Sequence, residues 1–553
     1  MIQRMKAKRG FKASMKGLLA CGLAFLGAPS AAVEPADAKA TKAAFEQAER
    51  SAPLAGYALS KVQRWLHEVA LPCQDPETKL LKMRGVWNYS NTAADCYPFL
   101  CWAAYFTDIE ALKGPLREVL HAEIRLCNHL DRIPAPYDFD RGAKVAEPSR
   151  DTLMFGASEY VKDGLIAIVE LTGKDEWFDR MVAIEEDLWK HAHVDTPYGK
   201  IPSDSRPVRD VEVDGEQLQA LCRLYRMTGE RKYLIWAERL GDYYFEREDF
   251  VPPHLRDHGC EIVGGLGLLA GIESEISSPK LRTYLPAMKK MLDAILVRGT
   301  SPDGFMYNAV EGVKTNFKPG SLSDGWGYNY VGFLCYDMAV GKPHYRDRIE
   351  QTLKNLGKPA YMQGGVAGTG GDSLADSAEG ALYLLSRVPV HEGFAWVDRW
   401  VDRGLIRSHV PLAEARLWGA NKWESNCVRT VLIYATMHTQ GILARPWRPD
   451  VQLGAAPLGD GVAVVLVTSK PYQGTLVFDI PRHREYMGFK KDWPRMNTVP
   501  EWFTVEADRS YVVTDRATGT RKTLTGNQLR EGLEVRAGPA EPAQFTVRSE
   551  RER

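Results

Sequence analysis

One piece of punctuation recurs three times along the chain. Thr172-Gly173-Lys174 leads to Trp177, Thr228-Gly229-Glu230 to Tyr233, and Val340-Gly341-Lys342 to Tyr345. Each copy follows an apolar helical run and precedes another. The first two copies stand roughly 56 residues apart and the third about twice that further on, a period that fits two helices and their connections. The first helix of each pair is apolar nearly all round. The second is amphipathic, as in Trp236-Ala237-Glu238-Arg239-Leu240. Buried and half-buried helices read in this way. The pattern predicts a mainly α fold: an (α/α)6-type toroid of six or seven hairpins, with inner helices lining the ring and outer helices wrapping it. The run from Ser425 to Gly441 is expected to pack on the first helix and close it.

Composition shifts at Arg445-Pro446-Trp447-Arg448-Pro449. Beyond it, short runs of period-two alternation are separated by Gly, Pro, Asp and Asn, which predicts a small antiparallel β-sandwich. The expected organisation is a targeting segment over 1–32, the toroid over 33–446 and the β-domain over 447–553. Arg4, Lys6, Lys8, Arg9, Lys12 and Lys16 precede a short apolar core from Leu18 to Leu26 and the small residues Ser30-Ala31-Ala32. That order predicts export to the periplasm or beyond. Formal charge is zero over the whole chain. Without those six basic residues it falls to about −6, which argues against nucleic acid and anionic membranes as partners. The cysteines are scattered through apolar runs without metal-ligand spacing, so neither a metal nor a cofactor is expected; one disulfide is left open.

In a helical toroid the loops leading into the inner helices ring the cavity mouth, and the helix N-termini point partial positive charge at it. Here those loops carry acids beside aromatics: Trp87, Asn88 and Asp95; Glu159 and Asp163; Asp214; His258; Asp324, Trp326, Tyr328 and Asn329; Asp376; and Trp423, Glu424 and Arg429. Helix capping explains single acids. It does not ask for Trp and Tyr beside them. Aromatic platforms next to carboxylates suit a sugar, whose apolar face stacks while two carboxyl groups act as acid and base.

Val213-Asp214-Gly215-Glu216-Gln217-Leu218, running on to Tyr233 and Trp236-Ala237, resembles a stretch of the unsaturated glucuronyl hydrolases. The resemblance puts Asp214 at that family's catalytic Asp. Ser323-Asp324-Gly325-Trp326-Gly327-Tyr328 is similar to its Trp-x-Arg-Gly-x-x-Trp segment, and Asp95 in Ala94-Asp95-Cys96-Tyr97-Pro98-Phe99 matches its second Asp. The toroid followed by a β-domain also looks like heparinase-type polysaccharide lyases. The resemblance implies a hydrolase of uronic-acid-containing oligo- or polysaccharides, with Asp214, Asp95 and Asp324 catalytic and the other loop residues binding substrate. Two alternatives stay open. One is a lyase using Tyr328 or His258 as base and Arg429 against the uronate. The other is a sugar epimerase or a non-catalytic glycan-binding protein. Lys490 to Asn497 and Pro500 to Val505 are expected to be an interdomain packing edge anchored by Trp493 and Trp502.

Overall fold

A computed structural model describes residues 36–550 except 84, 206–209, 257, 316, 319, 408–414 and 418–422. Residues 1–32, expected from the sequence to be a targeting segment, lie outside the described residues. The long helix α1 (Ala36–Trp65) comes first. Hairpins follow, built from α2 (Tyr97–Thr107), α3 (Arg117–Cys127), α4 (Arg150–Glu159), α5 (Ile166–Thr172), α6 (Glu176–Lys190), α7 (Asp210–Thr228) and α8 (Arg231–Phe245). They continue through α9 (Glu261–Glu275), α10 (Leu281–Arg298), α11 (Trp326–Val340), α12 (Arg346–Asn355), α13 (Gly371–Leu385), α14 (His391–Val397) and α15 (Ser425–Thr439). Among the described residues, seven inner helices touch in cyclic order: α2, the α4–α5 pair, α7, α9, α11, α13 and α15, which packs back on α2. Helix α1 covers the closing seam, packing on both α15 and α2.

The repeated punctuation caps the inner helices. Gly173, Gly229 and Gly341 take positive φ of 78°, 75° and 73°, conformations that favour glycine at a helix C-terminus. The aromatic residues that follow are buried and pin the next outer helix. Trp177 Nε1 donates to the Tyr97 hydroxyl (2.7 Å), and the Tyr233 hydroxyl donates to Glu186 (3.0 Å). Inner helices approach closely where glycines meet: a Cβ on Gly327 would stand 2.5 Å from the carbonyl carbon of Gly380.

After α15 the chain turns to strands: β1 (Leu443–Arg445), β2 (Val451–Leu458), β3 (Gly461–Thr468), β4 (Tyr472–Val477), β5 (Ser510–Asp515), β6 (Arg521–Thr525), β7 (Leu533–Ala537) and β8 (Ala543–Ser549). They form two antiparallel sheets, one ordered β6-β5-β8-β3-β2 and the other β7-β4-β1. Strand β2 lies along α1. One continuous cluster of buried side chains runs from the ring into these sheets. No helix among the described residues is long and apolar enough to cross a membrane. The eight described cysteines are all free thiols.

The segment between β4 and β5 does more than pack against the ring's edge. It enters the ring at the C-terminal ends of the inner helices. Trp493 is fully buried and donates to Glu275 at the end of α9 (2.7 Å). Arg495 and Arg223 of α7 both ion-pair with the buried Glu170 of α5, at 2.8 and 3.0 Å. Arg223 also donates to the Met496 carbonyl (2.7 Å). Arg387, just beyond α13, holds Asp492 (2.9 Å). Trp502, the other expected anchor, is only half-buried.

Candidate active site

The N-terminal halves of the inner helices enclose a cavity of about 480 Å³. Two of them begin or continue through π-helical turns, Thr92–Cys96 and Tyr160–Leu165. Such turns re-aim side chains and are frequent at functional sites. The first carries Asp95, the second Lys162 and Asp163, and all three line the cavity. Helix α4 adds Phe155 and Glu159, α7 adds Glu212, and the loop before α9 adds His254, Arg256 and His258. Glu261, Tyr328, Asp372, Asp376, Glu379, Asn426 and Arg429 complete the wall, and Phe317 flanks it. The floor is Met496 and Asn497, from the inserted segment. Asn497 has φ of 55° and donates to Asp163 from its Nδ2 (2.9 Å); its buried Oδ1 has no hydrogen-bond partner.

The wall divides into two electrostatic groups. In one, the buried Lys162 ammonium bridges Asp163 (2.7 Å) and Glu261 (2.6 Å). Burial pushes the Asp163 carboxyl up, but Lys162, His258 and the bond from Asn497 outweigh it and hold it below the usual range. Glu159 is pushed well up, first by burial and then by Glu216, Asp163 and Glu212. Glu216 moves the same way, by burial and then Glu212 and Asp163. His258 Nδ1 stands 3.3 Å from Glu159 and 3.1 Å from Glu212. In the other group Arg429 ion-pairs with both Asp376 and Glu379. The Tyr328 hydroxyl donates to Glu379 (2.6 Å) and accepts from Arg429 (3.2 Å). Burial, with Asp376 and Glu379 alongside, raises the Tyr328 phenol well above its ordinary value. Asp95 lies within electrostatic reach of Asp163, His258, Arg429 and Asp372. Burial, and then Asp163, raise it well above the usual carboxylate range.

Of the expected residues, the structure brings Asp95, Glu159, Asp163, His258, Tyr328, Asp376 and Arg429 to this cavity. It does not bring Asp214. That side chain is fully buried on the outward face of α7, where it accepts from the Tyr244 hydroxyl of α8 (2.6 Å). Burial pushes it up to about 7. Asp324 is half-buried outside the cavity, receiving its neighbour Gly325 N–H. Trp87 packs edge-on against Tyr89 and Tyr97, and Asn88 caps the turn at Asn91 and Thr92. Trp326 packs against Phe305, and Asn329 braces the Leu255 carbonyl (2.7 Å). Lys61 lies 3.9 Å over the Trp423 ring, and Glu424 is buried at the start of α15, away from the cavity. These aromatics are core, not sugar platforms. Sequence reasoning missed Lys162, Glu212, His254, Arg256, Phe155, Phe317 and Asn497. Lys162 sits one helical turn from Glu159, and Glu212 one turn from the Glu216 of the quoted motif, which is the signal that could have found them.

No family model matches the chain, and no curated protein matches it. Among solved structures it is similar to a GH127 beta-L-arabinofuranosidase from Geobacillus stearothermophilus T6. Identity there is 13%, over 90% of this chain and 80% of that one, with a TM-score of 0.39. It is similar to the GH76A alpha-1,6-mannanase of Salegentibacter sp. HEL1_6 at 14% identity, over 57% and 96%, with a TM-score of 0.39. The cellobiose 2-epimerase of Bacillus thermoamylovorans B4167 gives 11%, over 68% and 98%, and 0.37. Likenesses of this size carry no argument about chemistry, and the functional reading rests on the cavity.

Proposed function

We propose that the cavity is the active site of a glycoside hydrolase working by carboxyl general acid/base catalysis. Asp95 is the proton-transferring group and Asp372, exposed and held by Asn426 (2.7 Å), is the second carboxylate. The observation that carries this reading is that Asp95 lines the cavity together with both charged groups of the wall, its carboxyl raised by burial and Asp163. A sugar bound across the cavity would present its scissile oxygen to that position, with hydroxyl partners on both sides. The uronate specificity implied by the resemblance has less support. Among the described lining residues, the eight acids Asp95, Glu159, Asp163, Glu212, Glu261, Asp372, Asp376 and Glu379 face three permanent cations, Lys162, Arg256 and Arg429. Arg429 is already held by two carboxylates. That balance favours a neutral sugar.

The lyase alternative keeps one observation in its favour, the Tyr328 hydroxyl beside Arg429 in the cavity. Its raised phenol stays protonated, so little phenolate is present to act as the base. The test is a panel of neutral and uronic oligosaccharides read for new reducing ends and for ultraviolet absorbance of a new double bond. Hydrolysis of a neutral member, lost by about 10²–10⁴-fold in Asp95→Asn, supports the reading. Full activity of Asp95→Asn, or product absorbance that depends on Tyr328, overturns it.

A further inference from the structure

We propose that Glu159, Asp163, Glu216 and His258 form a binding site for one first-row divalent cation of the Mn²⁺ or Zn²⁺ class. Each offers a ligand atom, and all four atoms lie within 4.8 Å of one another. Donors bound at about 2.0–2.2 Å to one tetrahedral ion stand about 3.3–3.6 Å apart. Side-chain adjustments of up to about an ångström therefore close the set. Burial supplies the independent observation. Glu216 is fully buried and neither of its carboxylate oxygens has a hydrogen-bond partner; Glu159, 1% exposed, leaves Oε2 without one. Buried polar groups are normally hydrogen-bonded or coordinate a metal. Glu212, Glu261 and Asp95 surround the cluster, and Lys162 is the ammonium set against them. A dication is the counter-charge this wall calls for.

His258 joins the set through an uncommon backbone. Its φ is 64°, a left-handed conformation that costs energy in a side-chain-bearing residue and clusters at functional sites. One imidazole among three carboxylates suits Mn²⁺ or Zn²⁺ better than the all-oxygen preferences of Ca²⁺ and Mg²⁺. A second grouping, His483, Asp492 and Glu501, shows the contrast. There His483 bonds Glu501 (2.7 Å), and Arg387 and Arg495 hold Asp492 (2.9 and 2.7 Å). In the proposed site His258 and Asp163 also have partners, but Glu216 and one oxygen of Glu159 are left with none. The four proposed ligands come from three separate stretches of chain, which is why no metal spacing shows in the sequence.

The site is independent of the glycosidase reading, and its test needs no substrate. The chelator-stripped full-length chain is titrated with MnCl₂, followed by the paramagnetic resonance of free Mn²⁺, and with ZnCl₂ by calorimetry. One equivalent should bind and raise the melting temperature. Glu216→Gln should weaken binding by about 10–100-fold, as loss of a ligand or its support typically does. If Glu216→Gln does not fold, Glu159→Gln carries the same expectation. No binding of either ion to the folded wild-type chain at millimolar metal overturns the proposal. So does undiminished affinity in the folded variants, which would place the ion elsewhere.

Discussion

Asp214 and Glu216 differ by two positions on one helix and end in different worlds. Residues at i and i+4 share a face while those at i+2 point away. Glu212 and Glu216 turn toward the acid cluster, and Asp214 turns outward to Tyr244. The sequence motif around Asp214 was legible; its helical phase was not, because α7 is buried on both faces and carries polar residues on each. Asp214→Asn is therefore expected to fold and to leave turnover near wild type, where Asp95→Asn is expected to lose about 10²–10⁴-fold; a dead Asp214→Asn variant would return that residue to the mechanism. Glu185 on α6 makes a cleaner test of buried acids. It is fully buried, bonded by Trp189 and Gln217, and burial pushes it up to about 8. Between its ordinary 4.5 and about 8, the folded chain keeps a proton that the unfolded chain has lost. Stability from this group is thus greatest below about 4.5, falls as pH rises to about 8, and is level above. The effect is on the order of a few kcal/mol. Glu185→Gln removes the titration, so its melting temperature should gain on wild type between pH 5 and pH 9. An unchanged gap between the two pH values would show that Glu185 does not hold its proton.

The elements were the most legible level. Thr-Gly turns and alternating helix character announced hairpins, since a C-terminal glycine and an all-apolar helix each have one ready physical meaning. The order of contacts around the ring could not be read, because it depends on close approaches between residues far apart in sequence. Gly327 and Gly380 make one such approach. Gly327→Ala forces α11 and α13 apart and should cost roughly 1–3 kcal/mol, as overpacking does. Gly364→Ala, at an exposed position with open space around the new methyl, should leave the melting temperature nearly unchanged. Equal melting temperatures for the two variants would sink the argument from close packing.

At the scale of the whole molecule, ring and sheets are interlocked. Helix α1 carries β2, and the buried Glu170 is held from both sides, by Arg223 of the ring and Arg495 of the inserted segment. The two parts should therefore melt together, as one calorimetric transition. Arg495→Ala leaves Glu170 short of a buried partner and should lower stability by about 3–5 kcal/mol. Two separate transitions in the wild type would show that the parts are independent. The packing edge anchored by Trp493 was legible; its entry into the ring was not, because Asn497 and Asp163 meet across 334 positions of chain. The inserted segment also decides how traffic moves. A ring open at both ends is a tunnel through which a polymer could be threaded. With Met496 and Asn497 lining its far end it is a well. On the proposed glycosidase reading, a long chain would offer only its terminus, and each released fragment would have to back out through the doorway that the next guest needs. Spent product and fresh substrate would then compete for one opening.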